Sequence, residues 1–550
     1  MARTAAFRSF ARVMTAALLA DRRSCSIVDA VGMLREQTRI RAQTIPTISR
    51  RRFLFGAGAT GATLALGMIA GFPLRVTEAK PLSSSLSVGI VGAGLAGLAC
   101  ADTLKTRGIR ASVYEATTRA GGRCRSLRGF FPGQVAECGG ELIDTSHKTI
   151  LGYAERFGLA LEDDHDQPGE RVYHFLGQRH SHCSIMAEFH DFLSIARVDL
   201  NRLSPQVSAL SHTPHDVALD RTNLLAYLEG HNGAGVPAGP VAKAAVIAAY
   251  EAEYGLAAAD QSCLNFLLFV HSDPRSTLTP FSVFSDERYH LADGNDRIVE
   301  GLTREVAGQI SYERRLVRVR RLSDGRIELT LQTGGRTTIK THDVTVLAIP
   351  FTVLREVELD ASLAIPLHQL TAIRTLGYGT NAKLMIGFSS RPWRAVGSNG
   401  TAYADLGSVQ TAWETNPSRG TETRGVLIDY SSGGRGASLN PHAVQSDVRR
   451  FLSDLNVIYP GILDAATIVQ GQYLAHLEHW PSNPLMKGSY TCYRPGQFTT
   501  MAGLEGVPVG NVLFAGEHAN SFYEWQGFME GAALSGIAAA RSILTTARKR

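Results

Sequence analysis

The chain has 550 residues, 44% hydrophobic and 19% charged; that is more than one core usually holds and too apolar for disorder, so two or more domains are expected. Its 54 glycines and 21 prolines follow no Gly-X-Y period and its seven cysteines are sparse, which excludes collagen-like and disulfide-scaffold classes. The net charge of +6 arises wholly in residues 1–79, with 12 arginines against Asp21, Asp29, Glu36 and Glu78; the remainder carries 44 basic and 46 acidic side chains, so no charge argument points to nucleic acid or an anionic membrane.

The first segment has its own pattern. Ser49-Arg50-Arg51-Arg52-Phe53-Leu54 precedes an uncharged run from Phe55 to Leu74, rich in Gly and Ala, and then Thr77-Glu78-Ala79. This resembles a twin-arginine export signal. Five of the twenty residues in the run are Gly, which makes a poor transmembrane helix. The resemblance implies a partner, the twin-arginine export machinery, and a periplasmic or secreted protein whose cofactor is loaded before export. Residues 1–45 are a long preface to such a signal, and Met33 would be a more ordinary start. No later uncharged stretch reaches transmembrane length, so the mature body is expected to be soluble.

The body opens with Ser87-Val88-Gly89-Ile90-Val91, an apolar run that reads as a buried parallel strand. Gly92-Ala93-Gly94-Leu95-Ala96-Gly97 follows, then a helical run from Leu98 to Thr106 ending at Gly108, then a strand at Ala111–Tyr114 closed by Glu115. Strand, glycine turn, helix, strand and acid in this order predict a dinucleotide site. Gly92 permits the tight turn, Gly94 lets a pyrophosphate approach Leu95 and Ala96 at the helix N-terminus, and Gly97 lets helix and strand pack closely. Glu115 is placed for a ribose.

Arg119-Ala120-Gly121-Gly122-Arg123 and Glu137-Cys138-Gly139-Gly140-Glu141-Leu142 come next. With them the sequence resembles the flavin-containing amine oxidase family, which includes monoamine, polyamine and L-amino-acid oxidases. The resemblance implies FAD, with Arg123 near the cofactor phosphates and Gly139 and Gly140 passing close to the flavin.

The likeness continues along the chain. Asp293-Gly294-Asn295-Asp296 opens a helical run that resembles the family's return to the FAD domain. Arg315–Val319 alternates as a strand, and a residue matching Val317 meets the adenine through its backbone. Asp324-Gly325 is a hairpin turn signal, and Val344–Ile349 is another buried strand. Val512-Leu513-Phe514-Ala515-Gly516-Glu517-His518, then Gly527-Phe528-Met529-Glu530-Gly531-Ala532 opening a helix through Ala540, resembles the block that holds the flavin. It implies Glu517 on the ribityl chain and the helix N-terminus at Met529 facing the pyrimidine end of the ring.

Three positions match the family's reaction centre. Lys383 opens the strand Lys383–Phe388, before Pro392-Trp393; the family lysine holds a water against flavin N5. Tyr490 and Phe528 match the walls of an aromatic cage for a neutral amine. Ser489 stands where mitochondrial monoamine oxidases carry a flavin-bonded cysteine, so non-covalent FAD is implied. Leu142 falls where the family's amino-acid oxidases carry a carboxylate-binding arginine, which favours a plain amine. Against that, Gly140-Glu141-Leu142-Ile143-Asp144 resembles bacterial members taken for amino-acid oxidases. Glu141 or Asp144 would then suit a second cationic group, and Arg374 or Arg494 would replace the missing anchor. Trp480 is assigned to the substrate pocket, though a core aromatic reads equally well. His174, His180, His182 and Cys183 cluster in sequence, but no second ligand group accompanies them and no metal is expected.

The expected fold is α/β: a Rossmann-like FAD-binding domain from discontinuous segments (80–170, 291–350 and 486–550) after the extension at 1–79. An α+β substrate-binding domain takes 171–290, with the helix-rich stretch Val241–Leu268, and 351–485. The expected function is oxidative deamination of a primary amine or L-amino acid with O2 as second substrate. Amide formation, as in tryptophan 2-monooxygenases, desaturation and non-catalytic FAD binding are the alternatives. Dimers are common in the family, so a homodimer is an open expectation.

Overall fold

A computed structural model describes residues 86–164, 167–204, 206–270, 287–415, 423–519 and 526–547. The export-like segment and the preface before it lie outside the described residues. Among the described residues no helix is long and apolar enough to cross a membrane.

Five short strands form a parallel sheet in the order Val512–Phe514, Val344–Leu347, Val88–Val91, Ser112–Tyr114, Ile310–Ser311. Val88–Val91 and Val344–Leu347 are buried throughout, as strands covered on both faces must be. Their core takes in the helices Leu95–Lys105, Asp296–Glu305 and Met529–Ala547. The sheet thus draws on segments more than four hundred residues apart, as expected for a domain assembled from discontinuous pieces.

Two glycines set how closely these pieces pack. A Cβ on Gly97 would lie 1.9 Å from the Gly92 carbonyl oxygen, and one on Gly536 would lie 2.0 Å from that of Ala96. The C-terminal helix therefore seats directly against the helix that follows the glycine turn.

A four-stranded sheet, Arg336–His342, Ile327–Thr333, Arg315–Arg321 and Glu358–Leu359, stands beside the first. Gly325 turns its hairpin with φ of +84°. The expected boundary at 350 cuts this sheet, because Glu358–Leu359 pairs with Arg315–Arg321.

The third sheet has seven strands: Ala475–His479, Ala382–Phe388, Gly425–Ser431, Val409–Glu414, Ser398–Leu406, Glu170–Phe175 and Gln178–His180. Its pairings are antiparallel except for Ser398–Leu406 against Glu170–Phe175. Ala382–Phe388 is buried along its whole length. Leu384, Ile386 and Phe388 enter one core with Trp393 and the helix Val444–Ile458. Lys383 and Met385 therefore face the other side, where Met385 packs with Phe131, Cys138, Trp413 and Tyr430. Trp393 is a core aromatic. The helix-rich stretch forms Pro240–Tyr254, ended by left-handed Gly255, and Leu264–Val270.

Gly97→Ala and Gly536→Ala are each expected to destabilise the fold by about 1–3 kcal/mol through overpacking against backbone. Chemical denaturation of the two variants beside the parent measures this.

Candidate active site

One cavity runs along the seam between the parallel sheet and the seven-stranded sheet. Its lining includes every residue assigned to cofactor, catalysis or the substrate pocket except Gly97 and Val317, while the alternative substrate contacts Asp144, Arg374 and Arg494 stay outside it. Gly97 acts through packing. Val317 sits at a bulge in its strand pairing, and its neighbours Arg315 and Leu316 line the cavity instead.

The glycine end has the shape a pyrophosphate requires. Gly92 has φ of +99°, and a Cβ there would lie 2.5 Å from the Ala348 carbonyl oxygen. Gly94 is the N-cap of the helix Leu95–Lys105 and brings no side-chain cap. A Cβ on Gly94 would meet nothing within 4 Å. The opening amides of that helix thus face open space, and a helix N-terminus attracts an anion there. The Gly121-Gly122 turn docks on this loop, with the Gly121 amide donating to Ala93 O at 2.8 Å. Glu115 is pinned at the strand end by the Ala93 amide on one oxygen and by Thr117 N and Oγ1 on the other, each at 2.9 Å.

The middle of the cavity is tied across distant segments. Arg123 donates to the Ser489 carbonyl and, at 3.0 Å, to Glu517 Oε1. Glu517 Oε2 accepts Thr491 Oγ1 and the Gly527 amide, each at 2.8 Å. A Cβ on Gly139 would collide with the Arg123 carbonyl at 1.7 Å, and one on Gly140 would press on Met529 at 2.8 Å. His518, which the sequence reading passed over, lines the cavity against the Phe351 ring at 4.4 Å. Neither ring nitrogen has a hydrogen-bond partner among the described residues. Burial pushes this imidazole down to about 4, so it is uncharged at neutral pH.

The far end centres on Lys383, which is 5% exposed. Its ammonium donates to Glu137 O and Gly139 O at 3.0 Å and to Glu141 Oε2 at 2.6 Å. Trp413 Nε1 donates to the other Glu141 oxygen at 3.1 Å. The ammonium also lies 5.7 Å from the Trp413 ring and 5.9 Å from the Tyr430 ring. An ammonium has three hydrogens, and all three are committed to protein. Burial holds the neighbouring Glu137 carboxyl up at about 7, against hydrogen bonds from Asn295 and Ser126 that pull it down.

The cage residues are placed together. Tyr490 donates to Ala252 O at 2.9 Å and receives the Tyr430 hydroxyl at 2.7 Å. Phe528 lines the cavity with its ring centre 5.0 Å from that of His147. Trp480 also lines it, donating to Cys138 O at 3.2 Å. Leu142 lines it, and of the two acids considered Glu141 does so while Asp144 turns into the core to accept the Glu287 amide. Neither expected replacement anchor reaches the cavity: Arg374 is exposed and Arg494 pairs with Asp260 at 3.6 Å. Both lie on the outer side of their segments. His174, His180, His182 and Cys183 do not converge on one point and none lines the cavity.

Tyr430, Trp413 and the Glu141–Lys383 pairing were missed because they arise from strand register: Lys383 stands opposite Tyr430, and Trp413 opposite Ile428. The only available signal was an acid directly after the second Gly-Gly pair.

The donor set fits FAD on observations of this fold. Open space at Gly94 under a helix N-terminus suits phosphate, Glu115 closes the second strand against the glycine turn, and His518, without a hydrogen-bond partner among the described residues, lines the same cavity. Comparison with known proteins agrees. The family described as flavin containing amine oxidoreductase matches residues 95–544. A putative L-amino-acid oxidase, YobN of Bacillus subtilis, is 23% identical over 82% of this chain and 94% of its own. An L-amino-acid oxidase of Protobothrops flavoviridis is 22% identical over 84% and 90%. A cyclohexylamine oxidase from Brevibacterium oxydans superimposes with a TM-score of 0.69 at 20% identity, over 84% of this chain and all of that one. A putrescine oxidase variant gives 0.69 at 18%, over 84% and 99%.

Gly94→Ala is expected to leave the apo fold within about 0.5 kcal/mol of the parent while weakening FAD binding, read by flavin fluorescence on titration. Removing either partner of the buried pair, as Lys383→Met or Glu141→Gln, is expected to cost about 3–5 kcal/mol, with the double variant recovering part of it; a denaturation double-mutant cycle measures the coupling.

Proposed function

Because this chain belongs to the flavin-containing amine oxidoreductase family, we propose that it binds FAD non-covalently and oxidatively deaminates a primary amine or an L-amino acid. The observation that carries the reading is a single cavity with an anion-binding glycine turn at one end and Lys383, Tyr490 and Phe528 at the other. Ser489 in place of a cysteine supports non-covalent attachment, and Cys492 does not line the cavity.

When bound, FAD supplies a hydride acceptor and passes two electrons to O2, so that amine, O2 and water become carbonyl compound, ammonia and hydrogen peroxide. The residues of the chain orient and charge that site. Gly94, Leu95 and Ala96 would hold the pyrophosphate, Glu115 the ribose and Glu517 the ribityl chain. Tyr490 and Phe528 offer ring surface to an uncharged amine and keep water from it. The Tyr430 and Ala252 contacts fix the Tyr490 ring, so the cage is preorganised. Lys383, paired with Glu141, would offer positive charge toward the reduced flavin.

Among the described residues, the arginines that line the cavity are Arg123, Arg314 and Arg315. Arg123 is committed to Glu517 and Ser489, and Arg314 and Arg315 stand at the Glu115 end with Leu316. With Leu142 at the expected anchor position, this favours an amine without a carboxylate; the names of the sequence relatives favour amino acids.

We also propose export by the twin-arginine route to the periplasm or beyond, on the strength of Ser49–Leu54 and the apolar run behind it.

Hydrogen peroxide release on matched pairs tests the reaction and the substrate class together: arginine and agmatine, lysine and cadaverine, tryptophan and tryptamine, phenylalanine and phenethylamine. The decarboxylated member of a pair is expected to be oxidised faster. An amide product, or flavin that no amine bleaches, would overturn the reading.

A further inference from the structure

The two carbonyls that hold Lys383 belong to Glu137 and Gly139, and the residue between them is Cys138. On the edge of the seven-stranded sheet, Ala475–His479 places His476 opposite Met385 and Glu478 opposite Lys383. Residues two apart on a strand share a face. Cys138 Sγ, His476 Nε2 and a Glu478 carboxylate oxygen lie within 4.8 Å of one another. His476 Nε2 is buried and makes no hydrogen bond among the described residues. The buried Glu478 carboxylate is balanced by Arg125 at 2.8 Å, whose side chain is 36% exposed.

We propose that Cys138, His476 and Glu478 form a binding site for a thiophilic divalent cation of the zinc class. Sulfur, imidazole nitrogen and carboxylate oxygen are the donor types zinc prefers, whereas magnesium and calcium take oxygen. Tetrahedral zinc sets its ligand atoms about 3.5 Å apart; His476 Nε2 and a Glu478 oxygen already stand 3.6 Å apart, and Cys138 Sγ lies within 4.8 Å of both. A water completes the tetrahedron as fourth ligand. Charge balances on binding. The Cys138 thiol gives its proton to solvent and becomes a thiolate, the dication meets two anionic ligands, and Arg125 is released toward water. Burial, reinforced by Glu478, holds the free thiol above its ordinary range, and a bound dication reverses that preference. The ion would fix the peptide whose carbonyls hold Lys383.

The test is zinc titration of the untagged, chelator-treated protein by calorimetry, followed by X-ray absorption at the zinc edge. One zinc per chain is expected, with one sulfur neighbour at about 2.3 Å. Cys138→Ser removes the sulfur and weakens binding at least about tenfold. His476→Ala, at a partly exposed position the fold tolerates, weakens it likewise. Arg125→Ala binds zinc at least as tightly as the parent. No saturable uptake, a shell of nitrogen and oxygen alone, or unchanged affinity in both Cys138→Ser and His476→Ala would overturn the proposal.

Discussion

An ammonium and a carboxylate buried together are costly unless their hydrogens and lone pairs find partners. Lys383 and Glu141 meet that condition, and much of the surrounding structure serves it. Two strands of the seven-stranded sheet supply Lys383 and the Tyr430 ring, a third supplies Trp413, and the second Gly-Gly segment supplies two carbonyls and Glu141 itself. The pair therefore bridges the sheet and the segment expected to pass the flavin. Without either side, an unpaired charge would remain in an apolar wall.

The same constraint orders the rest of the cavity. Gly139 and Gly140 have no room for a Cβ because Arg123 and Met529 press on them. Arg123 in turn reaches Glu517, and Glu517 holds the Gly527 amide just before the C-terminal helix. That helix seats on the first through Gly536. A chain of close contacts thus runs from the reaction end to the glycine turn, through segments that are far apart in sequence. These contacts hold the two ends of the cavity at a set distance from one another.

What could be read from sequence was what local chemistry encodes. The glycine turn, the acid at Glu115, the Gly-Gly-Arg turn and the Gly516-Glu517 block each need particular residues at fixed spacing, and all line the cavity but Gly97, whose part is packing. Register and long-range pairing were not legible. The lysine at Lys383 is marked by the family pattern, but its partner Glu141 lies 242 residues away and only the folded chain brings the two together. Alternation marks the strand around Val317, but not the bulge between Leu316 and Arg318 that turns Leu316 to the cavity. Arg374 and Arg494 were considered because an anchor was missing; neither lines the cavity. His518 carried no signal, since its importance rests on the absence of partners in a folded core.

We propose that Lys383, held by Glu141 and two carbonyls, governs the flavin end of the cavity. Its most direct test is stopped-flow reoxidation of the reduced flavin by O2 in Lys383→Met beside the parent. The account predicts reoxidation slowed at least about tenfold, with FAD still bound. Equal reoxidation rates in the two proteins would contradict it.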